Sequence, residues 1–247
     1  MTDVPGSLLG EVTRAFDREG IDLAAVGLAW ARATPAVALI PAFGLRAMPT
    51  AARAVLAVAL AACVFPALAP IARSPGVPWV LLAMGELLRG IPIALAAAIP
   101  LWAATMAGGA IDSLRGAQDS VSSPAVEGRP TTLGVPMSLL ASAIFLGTGG
   151  PARVVSALAT RDVPAHPLLA AAHDLVAGIT LAVAVAGPII AAGLVLEIAA
   201  ALVARAASPA QIHTLLAPMR AIGVLVILGV VLDRAMGVIA IAIAASP

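Results

Sequence analysis

The feature that most constrains this chain is a series of apolar runs, each about as long as a bilayer is thick. A helix needs roughly 20 consecutive apolar residues to cross the hydrocarbon core. The runs are Ile21–Leu45, Ala52–Ala72, Val77–Gly108, Val135–Ala159, His166–Val203 and Met219–Ala245. The whole chain is 61% hydrophobic and 11% charged, against roughly 45–50% and about 25% in soluble domains. The sequence therefore predicts an all-α polytopic membrane protein.

Two of the runs are too long for one upright helix and contain helix-bending residues. Val77–Gly108 has Pro92 and Pro100 in its interior, and His166–Val203 has Pro188 with several glycines, where helices kink or break. We expect roughly six to eight kinked helical pieces arranged as hairpins. They form one membrane domain over residues 1–247, which begins with a polar, amphipathic segment at 1–20. Arginines occur in successive connections, so the positive-inside rule does not fix the topology.

The composition indicates packing against other helices. Aromatic residues make up 3% of the chain and Tyr is absent, so the interfacial aromatic belt of ordinary membrane proteins is nearly missing. Abundant Ala and Gly let helix backbones approach closely. The formal net charge is +1, which gives no indication of nucleic acid as a partner. These properties favour a subunit of a membrane assembly.

Several charged residues interrupt the apolar runs, and each costs about 2.5–3.5 kcal/mol at a helix centre unless it is paired or hydrated. They are Arg32, Glu86, Arg89, Asp174, Glu197, Asp233 and Arg234. Glu86 and Arg89 are three residues apart and share one helix face, so they form either a structural ion pair or part of a transport relay. A relay would make the chain a stand-alone secondary transporter, with Glu86, Arg89, Asp174 and Glu197 as its substrate or proton site, although its halves show no internal repeat.

Enzyme signatures are not found in the sequence. It has no HExxH, P-loop or GxSxG motif, so we expect no catalytic residues and no cofactor. His166, His173 and Asp174 invite a metal hypothesis, but all three lie near the start of their apolar run. A position at a helix N-terminus or in the headgroup region accounts for them without a metal.

The longest polar interruption is GGAIDSLRGAQDSVSSPAVEGRPT, residues 108–131. Its composition alone favours an ordinary exposed loop between two spans. A polar segment can remain at membrane depth only where it is buried in protein or lines a water-filled cavity. The glycines permit tight turns, and the charged and amide side chains suit exchangeable polar contacts.

Four short segments in a fixed order carry a further signal. Ala31–Pro66 contains an Arg within a helix, a proline turn, a P-x-x-x-R step and a closing Pro. Gly85–Asp112 begins with GELLRG and ends with AGGAID. Ala143–Leu158 contains FLGTGG, and Ser208–Arg220 reads SPAQIHTLLAPMR. In this order and spacing the segments resemble the FliR/SctT family of export-gate subunits in flagellar and virulence type III secretion systems.

The resemblance implies a function and partners. It implies a non-enzymatic, single-copy subunit that closes an assembly of related small membrane proteins of the SctR/FliP and SctS/FliQ types, with an SctU/FlhB-type subunit as a further partner. This assembly forms the pore through which unfolded polypeptides are secreted. The protein would then lie in the bacterial inner membrane, as a multi-pass component of a secretion-system basal body.

The resemblance also implies roles for particular residues. The loop at 108–131 would project into the closed pore as a plug. The candidate plug residues are Gly108, Gly109, Asp112, Arg115, Gly116, Gln118 and Asp119. The intramembrane charges Arg32, Glu86 and Arg89 would form a charge pair or contact another subunit.

Overall fold

The computed structural model describes residues 11, 15–16, 18–43, 49–72, 76–115, 131–160, 166–206 and 213–246. Over these residues the fold consists of seven main helices. They are α1 Leu23–Leu39, α2 Thr50–Ala72, α3 Trp79–Arg115, α4 Gly134–Gly147, α5 Gly150–Ala159, α6 Pro167–Ala206 and α7 His213–Ala245. The predicted all-α fold is confirmed, and its number of helical pieces lies within the predicted range.

Helix α1 starts and stops where local chemistry dictates. Asp22 is its N-cap, and the Asp22 carboxylate accepts hydrogen bonds from the backbone N–H groups of Ala24 and Ala25 at 3.0 and 3.3 Å. These bonds satisfy donors that a helix start leaves unpaired. The helix ends at Leu39, because the backbone of the next residue, Ile40, is extended. The 1–20 segment that precedes it falls largely outside the described residues.

Helix α3 is the centre of the fold. At 37 residues it is about 55 Å long, and it packs against α1, α4, α5, α6 and α7. Small residues on its buried side, such as Ala94, Ala97 and Ala98, are fully covered. Because they leave little side-chain bulk at the contact, neighbouring helix backbones come close.

Helices α1 and α3 run in the same direction. The Trp79 indole, at the start of α3, donates a hydrogen bond to the Ala24 carbonyl near the start of α1, at 3.1 Å. Glu86, two turns further along α3, lies beside Arg32, two turns further along α1. Helix α2 lies between α1 and α3 in the sequence, and it packs against α1.

Helices α4 and α5 form a broken span. Their axes differ by 65°, and the bend lies at Gly149, whose φ of 76° is readily adopted only by glycine. Pro151 then occupies the first turn of α5, where a backbone N–H would have no partner within the helix, so its absence costs no hydrogen bond. Arg153 in α5 donates to the Thr148 carbonyl and to the Ile243 carbonyl of α7, each at 2.9 Å.

Four helices are long and apolar enough to cross a membrane, within α2, α3, α6 and α7, and the bent α4–α5 pair raises the number to five. The hairpin of α6 and α7 is the least covered part. Only 22% of the most apolar window of α6 and 17% of that of α7 are buried within the chain. The described residues therefore form a multi-pass membrane protein whose last two helices present most of their surface outward.

Candidate functional site

A buried charge cluster joins α1 to α3. Glu86 and Arg32 are each 1% exposed, and Arg32 Nε lies 3.5 Å from Glu86 Oε2. The other oxygen, Oε1, accepts a hydrogen bond from Arg89 Nη1 one turn along α3. The Arg89 side chain is 46% exposed, so it reaches the surface. Oε1 is therefore hydrogen-bonded to Arg89, whereas Oε2 has only the ion-pair contact with Arg32 and accepts no hydrogen bond from the described residues.

A close backbone contact supports this cluster. A Cβ added at Gly90 would lie 2.2 Å from the Arg32 carbonyl oxygen and 3.2 Å from Pro35 Cγ. Only a residue without a side chain therefore permits α3 to approach α1 this closely. The approach brings the Arg32 side chain within reach of Glu86. The glycine and the ion pair act together in holding the two helices.

The second buried acid, Asp112, joins the end of α3 to the start of α4. Its side chain has no exposed surface. Oδ1 accepts a hydrogen bond from Arg115 Nη2, and Oδ2 accepts one from the backbone N–H of Leu133, both at 2.6 Å. Leu133 immediately precedes α4, where N–H groups lack helical partners and favour a negative charge. We refer to Asp112, Arg115 and the Leu133 N–H as the Asp112 clasp.

Glycines bring the two helix ends together beside this clasp. A Cβ added at Gly108 would lie 2.7 Å from Gly134 Cα, so the backbones of α3 and α4 touch here. The Gly134 N–H donates to Thr131 Oγ1 at 3.3 Å. Gly109 is packed less tightly, because a Cβ added there would lie 3.8 Å from its nearest neighbour, Thr131 Oγ1. Both ends of the segment between Arg115 and Thr131 are therefore fixed close to each other.

The structure differs from the predicted boundaries of the central loop. The loop was expected to begin at Gly108, but α3 continues to Arg115, because Asp112 and Arg115 pair at helical i,i+3 spacing and Gly108 packs within the helix contact. Gly108, Gly109, Asp112 and Arg115 thus lie at the base of the segment. Gly116, Gln118 and Asp119 lie outside the described residues, and their role stays a prediction.

Two tertiary contacts near the candidate site were not indicated by any sequence pattern. The partnership of Asp112 with the Leu133 N–H spans 21 positions, and no local pattern indicates it. Arg153 was not selected either, although it connects the α4–α5 bend to α7. The only available signal was an Arg one turn after Gly149 and Gly150, where helix-end carbonyls need donors.

The charges of α6 and α7 have a different environment. Asp174 and Glu197 are half-buried, whereas Asp233 and Arg234 are exposed although they lie in an apolar helix. Among the described residues no group of three or more His, Cys, Asp or Glu side chains is placed to hold a metal ion. The charged groups of interest in the described residues are thus two buried acids on α3, each paired with an arginine, and an exposed Asp and Arg that are adjacent on α7.

A multi-helix membrane protein with buried structural ion pairs is the class that this fold and site define. The family model described as bacterial export proteins, family 1, matches residues 23–245, and the chain belongs to this family. The match agrees with the resemblance to the FliR/SctT proteins and makes the chain a protein of a bacterial export apparatus. A comparison with individually curated proteins gave no match.

Proposed function

We propose that this chain is a subunit of a type III secretion export gate that helps to form and close an inner-membrane pore for unfolded polypeptides. The observation that carries the proposal is the Asp112 clasp in a member of an export family. It holds both ends of the polar segment 116–130 together at the junction of α3 and α4. A short polar segment on a fixed base suits a plug that yields locally while the helices remain in place.

The exposed surfaces of the long helices support the co-assembly part of the proposal. Large apolar residues such as Val176 on α6 and Val230 on α7 are more than 60% exposed. The proposed neighbours are subunits of the SctR/FliP and SctS/FliQ types, with one of the SctU/FlhB type, in a basal body. The sparse aromatic content suits helices that meet protein more than a lipid interface.

The alternative of a stand-alone transporter loses support at its main candidate residue. A substrate or proton site needs an accessible charged group at membrane depth. Glu86, the main candidate, is 1% exposed, and its carboxylate lies between Arg89, which donates to Oε1, and Arg32, which forms an ion pair with Oε2. This arrangement suits a structural bond between α1 and α3.

A deletion confined to the segment tests the plug. Removing residues 117–122 leaves Ile111, which is fully buried, and the Asp112 clasp in place. We expect the complex to assemble and the membrane to leak small solutes, measured as ion conductance of cells that carry the apparatus. The matched control replaces the same six residues with Gly and Ser at constant length. An intact complex with unchanged conductance in the deletion would refute the plug.

A further inference from the structure

The exposed pair Asp233 and Arg234 lies at the middle of the α7 span. The span covers Ala221–Ala245, so Asp233 is 12 positions from either end (233 − 221 and 245 − 233). At 1.5 Å per residue this is about 18 Å, which places both charges well inside a hydrocarbon core of about 30 Å. Bare charges at that depth are disfavoured and mark a protein or water environment.

The described part of the chain holds no partner for either charge. Both side chains are exposed, and neither forms an ion pair or hydrogen bond with any described residue. Consecutive helix residues point about 100° apart, so they do not face each other. On α3, by contrast, each buried acid has an arginine beside it. The described residues thus supply no counter-charge to Asp233 or Arg234.

The two charges border an apolar stripe on the outward face of α7. Val226, Val230, Gly237 and Ile241 are all exposed and recur at helical spacing. The opposite face is buried, with Val224, Leu228, Ala235, Ile239 and Ile243. At 100° per residue, Asp233 falls about 60° to one side of Val230 and Arg234 about 40° to the other. An acid therefore lies along one edge of the stripe and a base along the other.

Gly237 leaves room for a close neighbour between these charges. A Cβ added at Gly237 would meet nothing within 4 Å, so this glycine has no packing role inside the chain. Small residues on an outward helix face let a second helix approach closely in membranes. The stripe thus combines shape, apolar area and two charges of opposite sign.

We propose that this face of α7 binds a transmembrane helix of a different subunit, which carries a basic residue against Asp233 and an acidic residue against Arg234 at the same depth. The inference rests on the proposed function, since it takes the chain as one component of a hetero-assembly. The charged pair then fixes the depth at which the partner helix docks. Apolar contact along the stripe supplies affinity, and the charges supply register.

A charge swap tests the proposal and separates its alternatives. The swap Asp233→Arg with Arg234→Asp keeps composition, net charge and helix length. Against a different subunit it places like charges opposite each other, so we expect the recovery of partner-bound chain to fall at least roughly tenfold. In a contact between two copies of this chain, both copies would be swapped, complementarity would persist and recovery would not fall.

The measurement is the amount of partner subunit, and separately of a second copy of the chain with a different tag, that co-purifies with tagged full-length chain in mild detergent, normalised to chain level in the membrane. The single variant Asp233→Arg should lower recovery as the swap does. If recovery falls in Asp233→Arg but is retained in the swapped chain, the proposal is overturned, and the face binds a second copy of this chain. Retention in both would overturn it in favour of a water-facing or lipid-facing pair.

Two controls keep the result interpretable. Leu225→Ala, outside the stripe on the same helix, should leave recovery unchanged. If the swapped chain does not accumulate, Asp233→Asn with Arg234→Gln keeps size and polarity without repulsion, and undiminished recovery in that variant would overturn the proposal. Wild-type chain that purifies with no other membrane subunit would instead refute the proposed function itself.

Discussion

Helices α3 and α7 both carry charged residues within apolar sequence, but only α3 pairs its acids within the chain. Glu86 and Asp112 are buried, and each has an arginine at i+3. Glu86 also forms an ion pair with Arg32 of α1, and Asp112 accepts a hydrogen bond from the Leu133 N–H. Asp233 and Arg234 on α7 are exposed and have no such partner among the described residues. The same residue types therefore hold the fold together in one helix and remain available to other proteins in the other.

This difference separates the structural role of α3 from the proposed assembly surface on α7. Helix α3 uses its two acids to contact α1 near one end and the start of α4 near the other. Helix α7 contributes one buried face to the fold and leaves its charged edge outward. Substitutions in α3 should consequently reduce the stability of the isolated chain, whereas substitutions of the α7 pair should reduce assembly.

The largest effect is expected from Glu86→Leu. It leaves the buried Arg32 without a counter-charge, and breaking a buried pair from one side costs about 3–5 kcal/mol. Thermal unfolding of the purified chain, followed by Trp fluorescence, measures the loss. Arg32→Met combined with Glu86→Leu should recover most of it, because an apolar pair of similar volume often replaces a buried ion pair without loss. A double variant no better than Glu86→Leu would contradict this account.

A smaller loss is expected from Gly90→Ala. The added Cβ would overlap the Arg32 carbonyl, and overpacking of this kind costs about 1–3 kcal/mol. Gly85→Ala is the matched control on the same helix, since a Cβ there meets nothing within 4 Å. It should raise stability slightly through helix propensity. Equal unfolding temperatures for the two variants would show that close approach at Gly90 is not required.

The clasp should respond in a graded way to changes at Asp112. Asp112→Leu leaves the Leu133 N–H and Arg115 without their acceptor, at a cost of about 1–3 kcal/mol. Asp112→Asn keeps an oxygen for the Leu133 N–H and should lose less. Hydrogen exchange at the α4 N-terminus reports on the contact directly. Exchange that stays slow in Asp112→Leu would mean that other contacts fix the base of the segment.

The smallest effect on α3 is expected from Arg89→Gln. Its partner Glu86 is buried, but the Arg89 side chain itself is nearly half exposed, and Gln at this position keeps an N–H donor for Glu86 Oε1. We therefore expect a loss of about 0–1 kcal/mol, as for ion pairs that reach solvent. The unfolding temperature should change little, while Arg32 continues to neutralise Glu86. A loss as large as that of Glu86→Leu would instead assign the main counter-charge to Arg89.

The fold class could be predicted from the sequence because membrane spans depend on run length and composition. Asp22 and the i,i+3 pair at Glu86 and Arg89 are also local signals, and both have the contacts that their spacing indicates. Local signals failed at the end of α3. A glycine pair with a following Asp reads as a loop, yet Gly108 packs against Gly134 and Asp112 bonds to Leu133.

The tertiary partners of the other charges could not be predicted, for a related reason. Arg32 contacts Glu86 from a helix more than 50 positions away, and Arg153 reaches Ile243 across 90 positions. Such contacts depend on how helices pack, which spacing within one helix does not indicate. The exposed state of Asp233 and Arg234 likewise emerges only when the buried face of α7 is known.

The most direct test of the central claim is native mass spectrometry of the tagged chain, purified from its native membranes in mild detergent. The account predicts one copy of this chain bound to several copies of smaller helical membrane proteins. A chain that is recovered alone, or only with further copies of itself, would contradict both the export-gate function and the assignment of the α7 charges to a different subunit.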